Sequence, residues 1–295
     1  MEYEGRICTA PGERSSYRLP VTVGCAYNKC KFCGLFKDLT YREIPMDQIE
    51  AELQRVANIG GKPKVVYLGD GNAFHLETEK LVRILEMVHS YFPNVQEIRM
   101  DSTVPDILAK SDEELKKLAD LKVTRLYLGI ETALPDVLRF MNKCHTLPMA
   151  YEAIARIQAV GIDYAAHVMA GVAGEGRGIE NAEALAKFIN ETKPVLVVNF
   201  EFGPSHMKED IEAGRYMPSE LLENIRECQH FLKLCNVENM GYDVSFGFPP
   251  DRIWGTLPMD REKMLAAMDR MIAKEYPNLE EIEAATEAER TAAQK

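Results

Sequence analysis

Short β-branched runs alternate with amphipathic helical stretches from about residue 19 to residue 200, and few folds tolerate that rhythm. Leu19–Thr22, Val65–Leu68, Glu97–Met100, Arg125–Ile130, Tyr164–Met169 and Val195–Val198 read as about six strands. Between them lie helical faces such as Ile49, Leu53 and Val56, then Leu81, Leu85 and Val88. Ser111-Asp112-Glu113-Glu114 has the pattern of a capping box. Strand starts fall roughly 30 to 40 residues apart, the length of a βαβ unit with its crossover helix. The expected fold is therefore α/β with a parallel sheet, either open and doubly wound or closed as a full or partial barrel. In both, ligands sit at the C-terminal ends of the strands. The polar and glycine residues gather at those ends: Gly69-Asp70-Gly71, Asp101-Ser102, Glu131-Thr132, Gly171 and Asn199-Phe200-Glu201. Tight strand-to-helix turns want Gly and Asp as well.

Directly after the first strand, three cysteines fall within nine residues: Cys25, Cys30 and Cys33 in Gly24-Cys25-Ala26-Tyr27-Asn28-Lys29-Cys30-Lys31-Phe32-Cys33. A loop bearing three thiolates can wrap one face of a metal centre, and soft sulfur donors select zinc or iron–sulfur clusters. A structural zinc site asks for a fourth Cys or His, usually as a second close pair, and none is nearby. Three ligands on a four-iron cluster leave one iron open to a small molecule. The loop reads as an iron–sulfur site, with zinc and unligated core thiols as the alternatives. Of the other cysteines, Cys228 and Cys235 share a helical core stripe with Leu221, Ile225 and Leu232, while Cys8 and Cys144 are singletons read as buried or inert.

Composition narrows the partners. With 35 basic and 46 acidic residues the net charge is −11, which argues against a broad nucleic-acid surface. Seven cysteines, an odd number, and a start without a basic-then-apolar leader argue against a disulfide framework and for a cytoplasmic location. No apolar stretch approaches the length of a membrane span. Past residue 202 the rhythm fails: an irregular stretch from Gly203, a helix near 219–236, a Gly-, Pro- and aromatic-rich segment 241–258, and a helix over roughly 260–274. The division expected is a core over 1–202 and an extension over 203–295 packing on it, with an acidic tail from about 276.

The cysteine loop, ending Cys30-Lys31-Phe32-Cys33 with an aromatic before the last thiol, resembles that of the radical S-adenosylmethionine (radical SAM) superfamily. The resemblance extends over roughly 5 to 275 and is nearest to the branch with Elp3-like, methylthiotransferase-like and anaerobic coproporphyrinogen oxidase-like cores. It implies a partial (β/α)6 barrel of TIM type, a [4Fe-4S] cluster on Cys25, Cys30 and Cys33, and S-adenosylmethionine chelating the fourth iron. The spacing departs from the usual Cys-x3-Cys-x2-Cys by one residue, being Cys25-x4-Cys30-x2-Cys33. Gly69, Asp70 and Gly71 match the glycine-rich segment that receives the methionine ammonium. Glu131, in Gly129-Ile130-Glu131-Thr132, matches the residue that binds the ribose hydroxyls. Lys143 matches a basic residue that meets the cofactor carboxylate, its alternative being a solvated helix-end cation. His167 matches a polar group near the ribose, its alternative a core histidine, and Phe32 would orient the adenosine. Arg99 and Asp101, and Asn199 and Glu201, are candidates to face cofactor or substrate, with strand alternation sending one of each pair inward.

By the same resemblance, an external flavodoxin- or ferredoxin-type donor reduces the cluster. S-adenosylmethionine then breaks to methionine and a 5′-deoxyadenosyl radical, which takes a hydrogen from a small organic substrate. Segments 203–218 and 241–258 are the expected lids. The rival reading is a non-enzymatic iron–sulfur carrier or a cluster or haem trafficking protein, which would have no need of the cofactor residues. A zinc-stabilised binding module is a third.

Overall fold

A computed structural model of the chain describes residues 8–247 and 251–279. Its elements in chain order are β1 (Tyr17–Pro20), β2 (Thr22–Val23), β3 (Arg42–Glu43), α1 (Met46–Asn58), β4 (Val65–Gly69), α2 (Thr78–Tyr91) and β5 (Glu97–Ser102). Then follow α3 (Val104–Leu108), α4 (Asp112–Asp120), β6 (Val123–Glu131), α5 (Pro135–Phe140), α6 (Leu147–Ala159), β7 (Asp163–Ala170) and α7 (Gly178–Thr192). The last are β8 (Leu196–Glu201), α8 (Lys208–Glu212), α9 (Leu221–Leu234), β9 (Met240–Phe246), β10 (Asp251–Leu257) and α10 (Arg261–Glu275).

Eight of the strands form one sheet in the order β1-β4-β5-β6-β7-β8-β9-β10. All neighbours are parallel except β9 and β10. The end strands do not pair with each other, so this is a partial barrel that stays open. The helices cover the outer face because their apolar stripes match it: Ile49 and Leu53 on α1, and Leu81, Leu85 and Val88 on α2, are fully buried. The capping box before α4 forms, with Ser111 and Glu114 each bonding the other's backbone N–H.

Two expectations are corrected. The segment 241–258 is not an irregular lid: most of it is β9 and β10, which extend the sheet from six main strands to eight. Tyr242, Val244 and Phe246 alternate there and are buried, a period-two signal obscured by the flanking glycines and prolines. Cys235 does not lie within α9 but caps its end, buried like Cys228. The acidic tail expected from about 276 lies almost wholly outside the described residues.

The concave face is filled by the N-terminal segment. Ala10 packs with Tyr67, Tyr127 and Ala165, and a short turn of 3-10 helix, Pro11–Glu13, follows it. Glu13 is completely buried there and accepts from Ser16, Tyr127 and the Arg99 guanidinium, the last at 2.7 Å. Burial raises its pKa, but these donors more than offset that, and its carboxyl is held below the usual range. One strap therefore lines the inside of the barrel and forms a wall of whatever cavity remains.

Candidate functional site

The three-cysteine loop is closed at its base by the antiparallel pair β2–β3, Thr22 opposite Glu43 and Val23 opposite Arg42. Beneath it runs the end of β4, where Gly71 has φ +79° and a Cβ would fall 2.1 Å from the Gly24 carbonyl oxygen. Only glycine lets the two chains approach so closely in that backbone region. Between Cys25 and Cys30 the chain turns at Asn28 into the left-handed region at φ 43°, as asparagine tolerates. Its side-chain amide donates to the Phe36 carbonyl at 2.6 Å, and its N–H lies 3.5 Å from Cys25 Sγ. The loop is also stitched to the turn after α5. Tyr27 Oη donates to the Asn142 carbonyl at 2.6 Å, Asn142 Nδ2 to the Lys29 carbonyl at 2.9 Å, and Lys31 N to the Met141 carbonyl at 3.0 Å.

Cys25, Cys30 and Cys33 line one cavity of about 260 Å³ at the C-terminal ends of the strands. Phe32, Gly71, Asp101, Glu131, Lys143 and His167 share its lining. At its floor Lys143 Nζ and Glu131 Oε1 pair at 3.0 Å, both side chains more than nine-tenths buried. Gly129 makes the room, since a Cβ there would come 2.5 Å from Glu131 Oε1 and 3.1 Å from Lys143 Nζ. Burial pushes the lysine's pKa down, but Glu131 and the nearby Cys30 reverse this and leave it raised. Lys143 is thus a buried, paired cation and not a solvated helix end. Burial pushes the Cys30 thiol up to about 11, with Lys143 opposing, and raises Cys33 as well. His167 Nε2 is buried without a partner, and burial, with Lys143 adding to it, lowers the imidazole to about 4. A core histidine satisfied by the protein would have found a donor or acceptor.

Asp101 reaches the same cavity, accepting from Tyr67 Oη. Burial lifts its carboxyl to about 7, with Tyr67 opposing and Asp70 adding. Asp70 itself turns away to accept from Cys8 N at 3.0 Å, and Gly69 ends β4 with its carbonyl bonded to Val21. Of this triplet only Gly71 lines the cavity.

Strand alternation does not divide the remaining pairs as expected, because residues two apart share a face. Arg99 and Asp101 both point into the barrel, but Arg99 is engaged by Glu13 and Glu97. Asn199 and Glu201 both point away: Asn199 bonds Ala170 N and Tyr242 Oη, and Glu201 bonds Asn224 and Gly247 N. The inward residue of β8 is Phe200, which lines the cavity. Sequence reasoning also passed over Tyr127, Cys8, Cys144 and His145, all on the same lining. His145 is 5% exposed and its Nε2, too, has no partner. The signal for the last two was adjacency to Lys143.

The segment 203–218, expected as a lid, is absent from the cavity lining and props the cysteine loop from behind. Phe32 packs edge-on against Phe202 at 6.0 Å, and Met207 and Tyr216 complete an apolar cluster with Val137 and Met141. Lys31 Nζ sits 4.2 Å above the Phe140 ring and 3.2 Å from Asp210, which Arg215 also holds at 2.6 Å.

The donor set fits an iron–sulfur group. A four-iron cluster takes one thiolate per iron and so separates its ligands, whereas zinc gathers them around one point. Among the described residues no three His, Cys, Asp or Glu side chains converge closely enough for a single ion. The thiols instead border a cavity whose lining also offers an ion pair and unpartnered imidazole nitrogens.

Comparison with known proteins bears on the same stretch of chain. Residues 19–189 match the family model of the radical SAM superfamily. The heme chaperone HemW of Lactococcus lactis is 26% identical over 138 residues, 45% of this chain and 35% of that protein. The hopanoid C-2 methylase of Rhodopseudomonas palustris is 26% identical over 181 residues, 60% of this chain and 33% of that one. The chain thus spans about a third of the length of these curated relatives. Coproporphyrinogen III oxidase (HemN) from Escherichia coli superposes with a TM-score of 0.57 at 16% identity, covering 74% of this chain and 52% of its own. Methylornithine synthase (PylB) gives 0.54 at 16% identity, covering 75% and 63%. At these identities the structural likeness is one of fold. With more than half of its length on the family model and the same partial barrel, the chain belongs to the radical SAM superfamily, whose members use a [4Fe-4S] cluster and S-adenosylmethionine.

Proposed function

We propose that this chain is a radical SAM enzyme acting on a small organic molecule, with Cys25, Cys30 and Cys33 as cluster ligands. The observation that carries the reading is the convergence of those thiols with the buried Glu131–Lys143 pair on one cavity. When bound, the cluster supplies one electron, from a flavodoxin- or ferredoxin-type donor, and S-adenosylmethionine the 5′-deoxyadenosyl radical that abstracts hydrogen. The chain's own share is to bind, orient and exclude water. Lys143 offers a charge to the cofactor carboxylate, and Glu131 accepts from the ribose hydroxyls while keeping Lys143 protonated. His167 Nε2 has a bond to offer a ribose or adenine group, and Phe32 gives an apolar wall. Gly71 and the end of β4 bring backbone to the methionine end.

At about 260 Å³ the cavity falls just below the usual range of ligand sites, which run from about 300 Å³ upward. An adjoining recess of about 570 Å³ shares Pro11 and Phe200 with it and carries Arg14, Glu201 and Arg252. A small substrate entering there meets the cavity at Phe200. Asp101, on the inner cavity, is the acidic group such a substrate would reach, while Glu201 borders the recess and is held by Asn224 and Gly247.

Anaerobic reconstitution with iron, sulfide and dithionite, followed by chromatography for 5′-deoxyadenosine, tests the proposal. Production that disappears in Cys30→Ala is the expected result. A complete cluster that binds S-adenosylmethionine but never cleaves it, even with metabolite extracts, overturns it. A second reading, haem trafficking, is favoured by the match to heme chaperones in two organisms. Stoichiometric haem uptake by absorbance titration, without cofactor cleavage, would establish that one instead.

A further inference from the structure

The recess beside the cavity reverses the charge balance of the chain. Its charged residues are Arg14, Arg252 and Glu201, two cations to one anion in a protein of net charge −11. The anion is already engaged: Glu201 Oε1 accepts from Asn224 Nδ2 at 3.1 Å and Oε2 from Gly247 N at 2.7 Å. The Arg252 guanidinium is held as a fork, Nε and Nη2 on the two Asp243 oxygens at 2.7 and 2.6 Å, which orients it and leaves Nη1 to spare. Ser245, directly opposite Arg252 in the β9–β10 ladder, adds a hydroxyl with no hydrogen-bond partner among the described residues. Among those residues the Arg14 guanidinium has neither an ion pair nor a hydrogen bond. Its backbone is nevertheless fixed, since it ends the 3-10 turn whose Glu13 is locked in the barrel by Ser16, Tyr127 and Arg99. Glu13 thus faces the barrel and Arg14 the recess, where it is the one cation that no carboxylate holds.

We propose that Arg14 anchors the substrate through an anionic oxygen group, a carboxylate or a phosphate, which Arg252 Nη1 and the Ser245 hydroxyl help to bind. The proposal rests on the enzyme reading above and narrows its small organic molecule to an acid. A guanidinium presents paired N–H donors to two oxygens of such a group, which fixes its orientation as well as its charge. The recess joins the cavity at Pro11 and Phe200. An acid held at Arg14 therefore directs its uncharged end past Phe200, toward the cavity that the thiols border. The charged end stays apart from the carbon that loses hydrogen. An uncharged analogue leaves Arg14 nothing to pair with, so the recess selects acids over their amides.

The test is a titration of the full chain with butyrate, its amide butyramide and inorganic phosphate, followed by calorimetry and by the emission of Trp254. That residue is the chain's single tryptophan, 65% exposed. It shares a face of β10 with Arg252, because Ile253 between them packs on the core. Butyrate or phosphate should bind saturably and about tenfold or more tighter than butyramide, and the tighter of the two identifies the group as carboxylate or phosphate. Arg14→Ala should weaken that binding by about tenfold or more, with Arg14→Lys between, because its charge returns without the fork. Arg18→Ala, which removes an exposed arginine outside the recess, should leave it unchanged. Butyramide binding as tightly as the anions, no saturable binding of either anion, wild-type affinity in Arg14→Ala, or equal losses in Arg14→Ala and Arg18→Ala each overturns the proposal. The titration needs neither cluster nor cofactor, so the two failures are distinguishable. A chain that forms 5′-deoxyadenosine in the assay above but binds no anion through Arg14 loses this proposal alone. One that binds the anion through Arg14 but forms none loses the enzyme reading, and the substrate assignment with it.

Discussion

On the helix-covered face of β6, β7 and β8 the buried polar side chains answer one another; at the cavity on the concave side some do not. Behind the sheet, Glu227 accepts from Gly171 N at 2.9 Å and Asn181 Nδ2 at 2.6 Å, and Asn181 Oδ1 meets Thr132 Oγ1 at 2.5 Å. Asn199 spans Ala170 N and Tyr242 Oη. In front of it, His145 and His167 each keep a buried nitrogen without a partner, and Glu131 and Lys143 have chiefly each other. Burying polar atoms unmatched costs about 1–3 kcal/mol each. A closed network is what packing helices onto a sheet demands, whereas an open one at strand ends marks where a ligand completes the bonding. The two arrangements lie within a few residues of each other.

The contrast breaks most plainly at the thiols. Cys30→Ala should abolish iron retention and 5′-deoxyadenosine formation, while apo-protein stability, read by chemical denaturation, stays close to wild type because no packing network closes through the thiol. Next is the ion pair: Lys143→Met leaves a buried carboxylate and should destabilise the chain by about 3–5 kcal/mol, with most of it regained in the Glu131→Gln/Lys143→Met double variant. Recovery of stability without recovery of cofactor binding, measured by calorimetry, would confirm that the pair serves the ligand.

On the other face, burial lifts Glu227 to about 7 from an ordinary 4.5, its hydrogen bonds opposing. The folded state thus holds this proton more tightly than the unfolded chain. The associated stability is fully present below about pH 4.5 and is lost as pH rises through 7, about 3 kcal/mol in all. Glu227→Gln should flatten that part of the melting-temperature profile between pH 5 and pH 8. Gly71→Ala, with its Cβ driven at Gly24, should cost about 1–3 kcal/mol and lower the iron retained after desalting. Smallest is Lys31→Ala, which removes a partly exposed ion pair and a cation–π contact and should cost about 0.5–1 kcal/mol in apo-protein melting.

Much of the fold was legible because its signals are local. The β-branched runs at Val65, Arg125 and Tyr164 and the stripes of α1 and α2 are periodicities that burial on one or two faces imposes on any chain. β9 was not legible, since Tyr242, Val244 and Phe246 alternate between glycines that read as loop. The cysteine loop was legible as chemistry from its spacing, whereas the left-handed turn at Asn28 within it, bonded to the carbonyl of Phe36, was not.

What the sequence by itself determined is the set of βα units and the residues at their strand ends, because side-chain period and turn chemistry act over a few residues. Tertiary structure decided which of those residues meet. Asp101 and Arg99 share a face and yet have different fates, since Glu13, 86 residues away along the chain, occupies Arg99 alone. Cys30 and Cys144 line one cavity, with Tyr27, Lys31 and Asn142 tying the two distant turns together. Such contacts join residues far apart in the chain, and no local pattern encodes them; they exist only once the sheet has been assembled.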